Sequence, residues 1–326
     1  MTTEKRLGLF IAILAVGFFT YLLVFHSQSL AAWWRIKRLV VVQSMVSGLL
    51  IGGVYALIAI GLTMIFGVLN IINFAHGTLM TVGMYTTLCT YNFYGIDPYL
   101  SLLITIPLLF LLGMFIQRVI IRPVMGSPMH NQLLLTMGLS LFIMNLFLVI
   151  FRAEPMTLRT SYSGSRIFIG TIMISFPRLA AFGAALGIVV LLFLIMHHTD
   201  LGKAIRAAAD DSDGAALSGI NVKRMYLVTF GFGTALVGAA GSMVMPFFTV
   251  TPHAGETFNI LSYVIVVLGG MGSISGALIG GLIVGLTESL GAVFLPGSSK
   301  LVGVFFLFIL ILLFKPEGLM ARRTGR

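Results

Sequence analysis

"GGVYALIAIGLTMIFGVLNIINFAHG", residues 52–77, decides the architecture. Its first eighteen residues carry no charge. They lie in an apolar run from about Leu39 to Cys89, far longer than the ~20 residues that span a bilayer as a helix. Near its middle stand Asn70, Asn73 and His76, polar groups where lipid would otherwise be the solvent. Such groups are costly in a membrane and face protein or a watery path rather than lipid. On a continuous helix Asn70, Asn73, Gly77 and Thr81 would form one stripe, with His76 beside Asn73. The stripe has two open readings: a hydrogen-bonded tie to a neighbouring helix, or the lining or gate of a pathway.

The rest of the chain agrees with a membrane protein. Of 326 residues, 58% are hydrophobic and 9% charged, against about 25% charged in soluble domains; mean hydropathy is +1.06. Apolar runs fall near Leu7–Phe25, Val41–Gly67, Ile71–Thr90, Tyr99–Gln117, Gln132–Phe151, Leu179–His197, Met225–Met245, Ile260–Leu268, Gly276–Val293 and Leu301–Phe314. The expected fold is an all-α polytopic bundle with about nine or ten transmembrane or half-membrane helices. Ile260–Leu268 is short for a full crossing. The first run follows Lys5 and Arg6 and precedes Ser29-Leu30-Ala31, which also suits a cleaved signal peptide. At about 19 residues it is long for a signal core, which favours a retained helix.

The net charge of +10 is scattered at span ends, as in membrane anchoring, and gives no nucleic-acid signal. Strict alternation of spans puts Lys5, Arg6, Arg118, Arg122, Lys203, Arg206, Lys223, Arg224, Lys315, Arg322, Arg323 and Arg326 on one side, twelve of the 20 basic residues. That bias predicts a cytoplasmic N-terminus, 199–222 segment and C-terminus, with Arg152–Arg178 as a large external loop.

Catalytic and metal motifs do not appear. The single Cys89 excludes a disulfide framework and a cysteine metal site. His197-His198 lacks matched carboxylates, and Gly202-Lys203 fails as a phosphate loop because Ala204 stands where Ser or Thr is needed. If ATP drives this protein, another subunit binds it. Glu288 is the one credible intramembrane carboxylate and reads as interfacial rather than as a proton relay. Small residues recur every four positions at Gly48, Gly52 and Ala56, at Gly272, Gly276 and Gly280, and at Ser273, Ala277, Gly281 and Gly285. Such stripes let helices approach closely. Gly269-Gly270-Met271-Gly272-Ser273 reads as a break between half-helices or a tight turn, serving either a packing seam or a pathway.

The hydrophilic stretch "TDLGKAIRAAADDSDGAALSGINVKR", 199–224, predicts a helix over Lys203–Asp210, a break or new N-cap at Asp210–Gly214, and a second short apolar face at Ala215, Ala216, Leu217 and Ile220. It is either a solvated loop or a surface shaped to fit a partner. It resembles the cytoplasmic coupling loop of the branched-chain amino acid ABC transporter permease family (LivH type). Four further blocks resemble that family in order: 52–77, "IRPVMGSP" (121–128) with "MGLSLFIMN" (137–145), "VLGGMGSISGALIGGLIVGLTESL" (267–290) and "KPEGL" (315–319). Together they cover most of 39–320.

The resemblance implies a permease domain over 39–320 with its coupling loop at 199–224, an added 1–38 extension carrying an extra helix or signal-like segment, and a basic tail at 321–326. It implies no catalysis and no cofactor in this chain, with ATP and Mg on a partner ATPase subunit. The implied partners are a second, identical or similar permease, two cytoplasmic ATPases and a periplasmic binding protein, in a bacterial inner membrane. Gly202, Arg206, Asp210, Asp211, Gly214, Leu217, Gly219, Ile220 and Asn221 would dock the ATPase. Asn70, Asn73, His76, Thr78, Gly269, Gly270 and Gly272 would belong to the pathway or gate. Thr78 departs from the family, which usually has Glu there, and so brings related permeases for urea and short amides into play. A channel for a small solute is the rival from another class; it would need neither the 199–224 loop nor an ATPase.

Overall fold

The computed structural model describes residues 27–295 and 299–320, with side chains from residue 38 onward. The Leu7–Phe25 run and the 321–326 tail lie outside the described residues. The helices are α1 (Ser27–Leu69), α2 (His76–Tyr94), α3 (Leu102–Ile116), α4 (Met129–Phe151), α5 (Phe176–His198), α6 (Asp200–Asp210), α7 (Ser212–Leu217), α8 (Val222–Val244), α9 (Ala254–Gly269), α10 (Ile274–Phe294) and α11 (Lys300–Phe314). A two-stranded antiparallel hairpin, β1 (Arg166–Ile169) and β2 (Ile172–Ser175), precedes α5. Six of the described helical stretches are long and apolar enough to cross a membrane, including Arg38–Leu69 and Val222–Phe247. α9 and α11 are shorter apolar helices.

The small-residue stripes explain the packing. α1 and α10 run antiparallel in close contact: a Cβ on Gly48 would lie 2.7 Å from the Gly285 carbonyl, and one on Gly281 would lie 2.5 Å from the Ala56 backbone. Ser289 Oγ donates to the Ser44 carbonyl at 2.7 Å along the same seam. α8 is set into the bundle by Gly233 against Gly61 of α1, Gly238 against Leu109 of α3, and Gly241 against Met80 of α2. α1, α2 and α8 form the buried centre, whereas α4 buries only Thr136 and Ile143. Tyr85 of α2 holds α4 by stacking on Phe147 and Phe151, at 4.8 and 4.2 Å between centroids.

The two ends of the bundle differ. At one end Gln43 clasps the backbone of Met173 on β2 through both amide atoms, and Tyr162 donates to Asp97 at 2.6 Å. Burial and the Asp97 carboxylate push the Tyr162 phenol above its ordinary range, so it stays a donor. The other end carries α6, α7, the end of α1 and the turn at Lys315–Met320.

Two expectations change. The span beginning at Ile71 is not helical at its start: α1 ends at Leu69, Asn70 is left-handed at φ +55°, and α2 starts only at His76. Asn70, Asn73, Gly77 and Thr81 therefore do not share one helix stripe. The short Ile260–Leu268 run is the end of a 16-residue helix that begins at Ala254. Glu288 is 7% exposed, accepts from Tyr55 Oη at 2.6 Å, and pairs with Lys300 Nζ at 2.6 Å. A buried carboxylate needs such partners, because removing one leaves an uncompensated charge.

Candidate functional site

The helical path is interrupted twice, at residues 70–75 and 270–273. The end of α1 meets the second break directly, since a Cβ on Gly67 would sit 3.0 Å from Gly272 Cα. Non-helical backbone inside a membrane bundle needs each polar group answered by protein or water.

At the first break, residues 70–75, the partners come from distant helices. Asn259 of α9 accepts from the Gly77 N–H through Oδ1 and donates to the Phe74 carbonyl through Nδ2, both at 3.1 Å. Thr136 Oγ1 of α4 accepts from the Phe74 N–H at 3.2 Å. Asn73 Oδ1 accepts from the Ala75 N–H at 3.1 Å. His76 Nε2 lies 2.9 Å from the Ile58 carbonyl. A carbonyl only accepts, so Nε2 carries the proton and Nδ1 is left with a lone pair. His76 Nδ1 and Asn73 Nδ2 are both buried without a hydrogen-bond partner. The site thus holds one spare acceptor and one spare donor where no lipid could answer them. Thr78, in the first turn of α2, hydrogen-bonds Ser140 of α4.

At the second break, Gly270 (φ +101°) and Gly272 (φ +83°) take backbone conformations that favour glycine. Gly269 packs on Gly276 across the turn. The C-terminal turn seals it: the Leu319 N–H donates to the Leu268 carbonyl at 2.8 Å and the Met320 N–H to Gly269 at 2.9 Å. Ser273 then caps α10 by accepting from the Gly276 N–H at 3.1 Å.

The 199–224 segment folds as two short helices with a cap before each. Thr199 Oγ1 accepts from Gly202 N–H, Asp211 Oδ1 from Asp213 and Gly214 N–H, and Asn221 Oδ1 from Arg224 N–H, all near 3.0 Å. Gly202 is buried against the carbonyls ending α5, and Gly219 is left-handed at φ +83°. Leu217 stands out at 91% exposed, while Ile220 is half-buried. Asp210 is exposed on the same segment. Arg206 is brought elsewhere: its Nη1 is buried without a partner and it lines a cavity with Thr63 and Gly272. His197 and His198 are exposed, and no group of metal-holding side chains occurs among the described residues.

Sequence reasoning missed Asn259, Thr136, Ser140 and Thr63. Asn259 had a signal, as a lone amide in an apolar helix; the hydroxyls had none, since Ser and Thr are common in membrane helices. Asn259→Leu should leave the Gly77 N–H and the Phe74 carbonyl unanswered. We expect it to lower stability by about 2 kcal/mol, read by thermal unfolding in detergent, with Asn259→Asp falling in between because it keeps the acceptor.

A family model described as "Branched-chain amino acid transport system / permease component" matches residues 44–314. The high-affinity branched-chain amino acid transport system permease protein BraD of Pseudomonas aeruginosa is 32% identical over 300 residues, covering 86% of this chain and 95% of the relative. LivH of Escherichia coli K12, described in the same words, is 33% identical over 294 residues with the same two shares. The fructose import permease protein FrcC of Rhizobium meliloti is 37% identical over 113 residues, 30% of this chain. No solved structure matches the chain. Matched by that family model over residues 44–314 and about a third identical to relatives over 86% of its length, the chain belongs to the branched-chain amino acid transport system permease family.

Proposed function

We propose that this chain is the membrane-spanning subunit of an ATP-driven importer for branched-chain or other small amino acids. It is a multi-pass inner-membrane protein. It pairs with a second permease, takes solute from a periplasmic binding protein, and couples through α6–α7 to two cytoplasmic ATPases that hold ATP and Mg. The α6–α7 end is then cytoplasmic and the hairpin end external. The observation that carries the pathway assignment is the pair of unpartnered buried atoms at the first break, Asn73 Nδ2 and His76 Nδ1. A donor and an acceptor held ready suit a polar solute passing through an apolar bundle. Gly269, Gly270 and Gly272 form the second wall of this gate.

Asn73→Leu tests it. The one bond it loses besides the spare donor is a local one, to Ala75 within the break. We expect normal assembly with uptake reduced about tenfold, equivalent to about 1.4 kcal/mol in the barrier. Lost assembly would make the stretch a structural tie instead. A second reading, a permease for urea or short amides, is favoured by the neutral Thr78–Ser140 hydroxyl pair beside the break. Binding of isoleucine, leucine, valine, urea and short amides by the partner binding protein separates the two.

A further inference from the structure

The end of α1, the α5–α6 corner and the start of α10 enclose a cavity of about 560 Å³. Of the gate residues described above, only Gly272 also lines it. Its polar wall is made by Thr63, Arg206, Ser273, Ser275 and His197, whose Nδ1 lies 3.0 Å from the Phe193 carbonyl. Thr63 is 1% exposed, and its Oγ1 has no hydrogen-bond partner. Arg206 Nη1 is likewise buried and unpartnered. Ser273 and Ser275, 3.3 Å apart through their hydroxyls, line it with the first turn of α10. Ser273 Oγ takes the Gly276 N–H at 3.1 Å; the remaining first-turn N–H groups have no intrahelical acceptor, and they carry the positive end of the helix dipole. No carboxylate is among the lining residues. The facing wall is apolar: Met64, Val68, Phe193, Met196 and Ile205.

A guanidinium is a strong charge-assisted donor, and leaving one of its N–H groups buried and unanswered is costly. Two independent orphan donors, two further hydroxyls and a helix N-terminus converge on one space that is otherwise greasy. We propose that this cavity is a binding site for an oxyanion carried on an aliphatic body, with Arg206 and Thr63 as its principal contacts. Two sources share that chemistry: a free aliphatic amino acid on the cytoplasmic side, and the headgroup of an anionic lipid. The proposal goes beyond the importer reading, and its lipid arm does not depend on it. Arg206 therefore joins the coupling helix α6 to a ligand inside the bundle, so occupancy of the cavity restrains the segment that the ATPases move.

The test uses the full chain, purified with its subunit partners into nanodiscs. In phosphatidylcholine discs, isoleucine and isoleucinamide are titrated by equilibrium binding. In discs containing phosphatidylglycerol, retained lipid is counted by native mass spectrometry. Isoleucine binding at least about tenfold tighter than its amide identifies the free carboxylate as the source. Selective retention of phosphatidylglycerol over phosphatidylcholine identifies the lipid. In whichever arm binds, Arg206→Gln weakens binding about tenfold or more, Arg206→Lys retains part of it, and Thr63→Val weakens it several-fold. Thermal unfolding of each variant reports whether it is folded, and Thr63→Val, an isosteric change, keeps the test valid if Arg206→Gln unfolds. Absence of charge discrimination in both arms, or binding unchanged in folded Arg206→Gln and Thr63→Val, overturns the proposal. Failed isoleucine binding with retained phosphatidylglycerol leaves the site standing, and transport assays judge the importer reading separately.

Discussion

Gly77→Ala is expected to cost about 3 kcal/mol of stability, while Gly138→Ala, the same chemical change, is neutral or favourable. α2 and α9 cross where neither has a side chain. A Cβ on Gly77 would lie 2.2 Å from the Gly255 carbonyl oxygen and 2.5 Å from Asn259 Cβ; one on Gly255 would lie 2.1 Å from the Gly77 oxygen. The nearest obstacle is backbone, so no rotamer change relieves it, and the helices must separate. Overpacking alone costs about 1–3 kcal/mol. Separation also draws Asn259 away from the Gly77 N–H, losing about 1 kcal/mol more. Gly138 of α4 has nothing within 4 Å of its added Cβ, and alanine there gains up to about 1 kcal/mol of helix propensity. Thermal unfolding in detergent should place the Gly77 variant roughly 5–10 °C below the parent, with the Gly138 variant level or higher. Equal midpoints would mean that glycine at 77 is not there for the close crossing.

The contrast shows what the sequence carries and what it does not. Spans were legible because each apolar run answers to lipid by itself, and each expected run from Val41 to Phe314 contains a helix, the second of them only from His76. The four-residue glycine spacing was legible for the same reason: it needs only helical geometry, and Gly48 and Gly52 do meet Gly285 and Gly281. Local capping rules placed the break before α7, because Asp211 bonds residues two and three ahead of it. The first helix break was not legible. A periodicity argument assumes the backbone continues, and nothing near Asn70 says that it stops. The groups that make the stop affordable are Thr136 and Asn259, 62 and 185 residues from Phe74. Arg206 posed the same problem in reverse. Its helix was legible, but which face met the end of α1 was a tertiary fact, so a residue assigned to docking proves to be turned partly into the bundle.

Leu217→Asp should abolish solute-stimulated ATP hydrolysis while leaving the permease folded. Leu217 closes α7 with 91% of its surface exposed, beside polar neighbours that need no help from it. Asp211 caps the helix at its start; at its end Ser218 Oγ donates to the Gly214 carbonyl at 3.0 Å and Gly219 turns the chain away. An exposed substitution of this kind shifts stability by about 0.5 kcal/mol or less. A large apolar side chain held out on a capped helix outside the membrane is instead the form of an interface anchor, worth about 2 kcal/mol or roughly 30-fold in affinity when truncated. Placing a carboxylate in the groove it enters adds a desolvation cost. Gly214 would be a poorer target, because a Cβ there meets Asp211 Oδ2 at 2.6 Å and would disturb the cap itself. The measurement is ATPase activity of the reconstituted complex with and without loaded binding protein, together with subunit co-purification. Leu217→Met, which keeps an apolar tip, should retain most of the stimulation. Full stimulation in Leu217→Asp would show that the ATPases grip some other part of the 199–224 segment, and Ile220, half-buried in the turn that follows, would be the next residue to change.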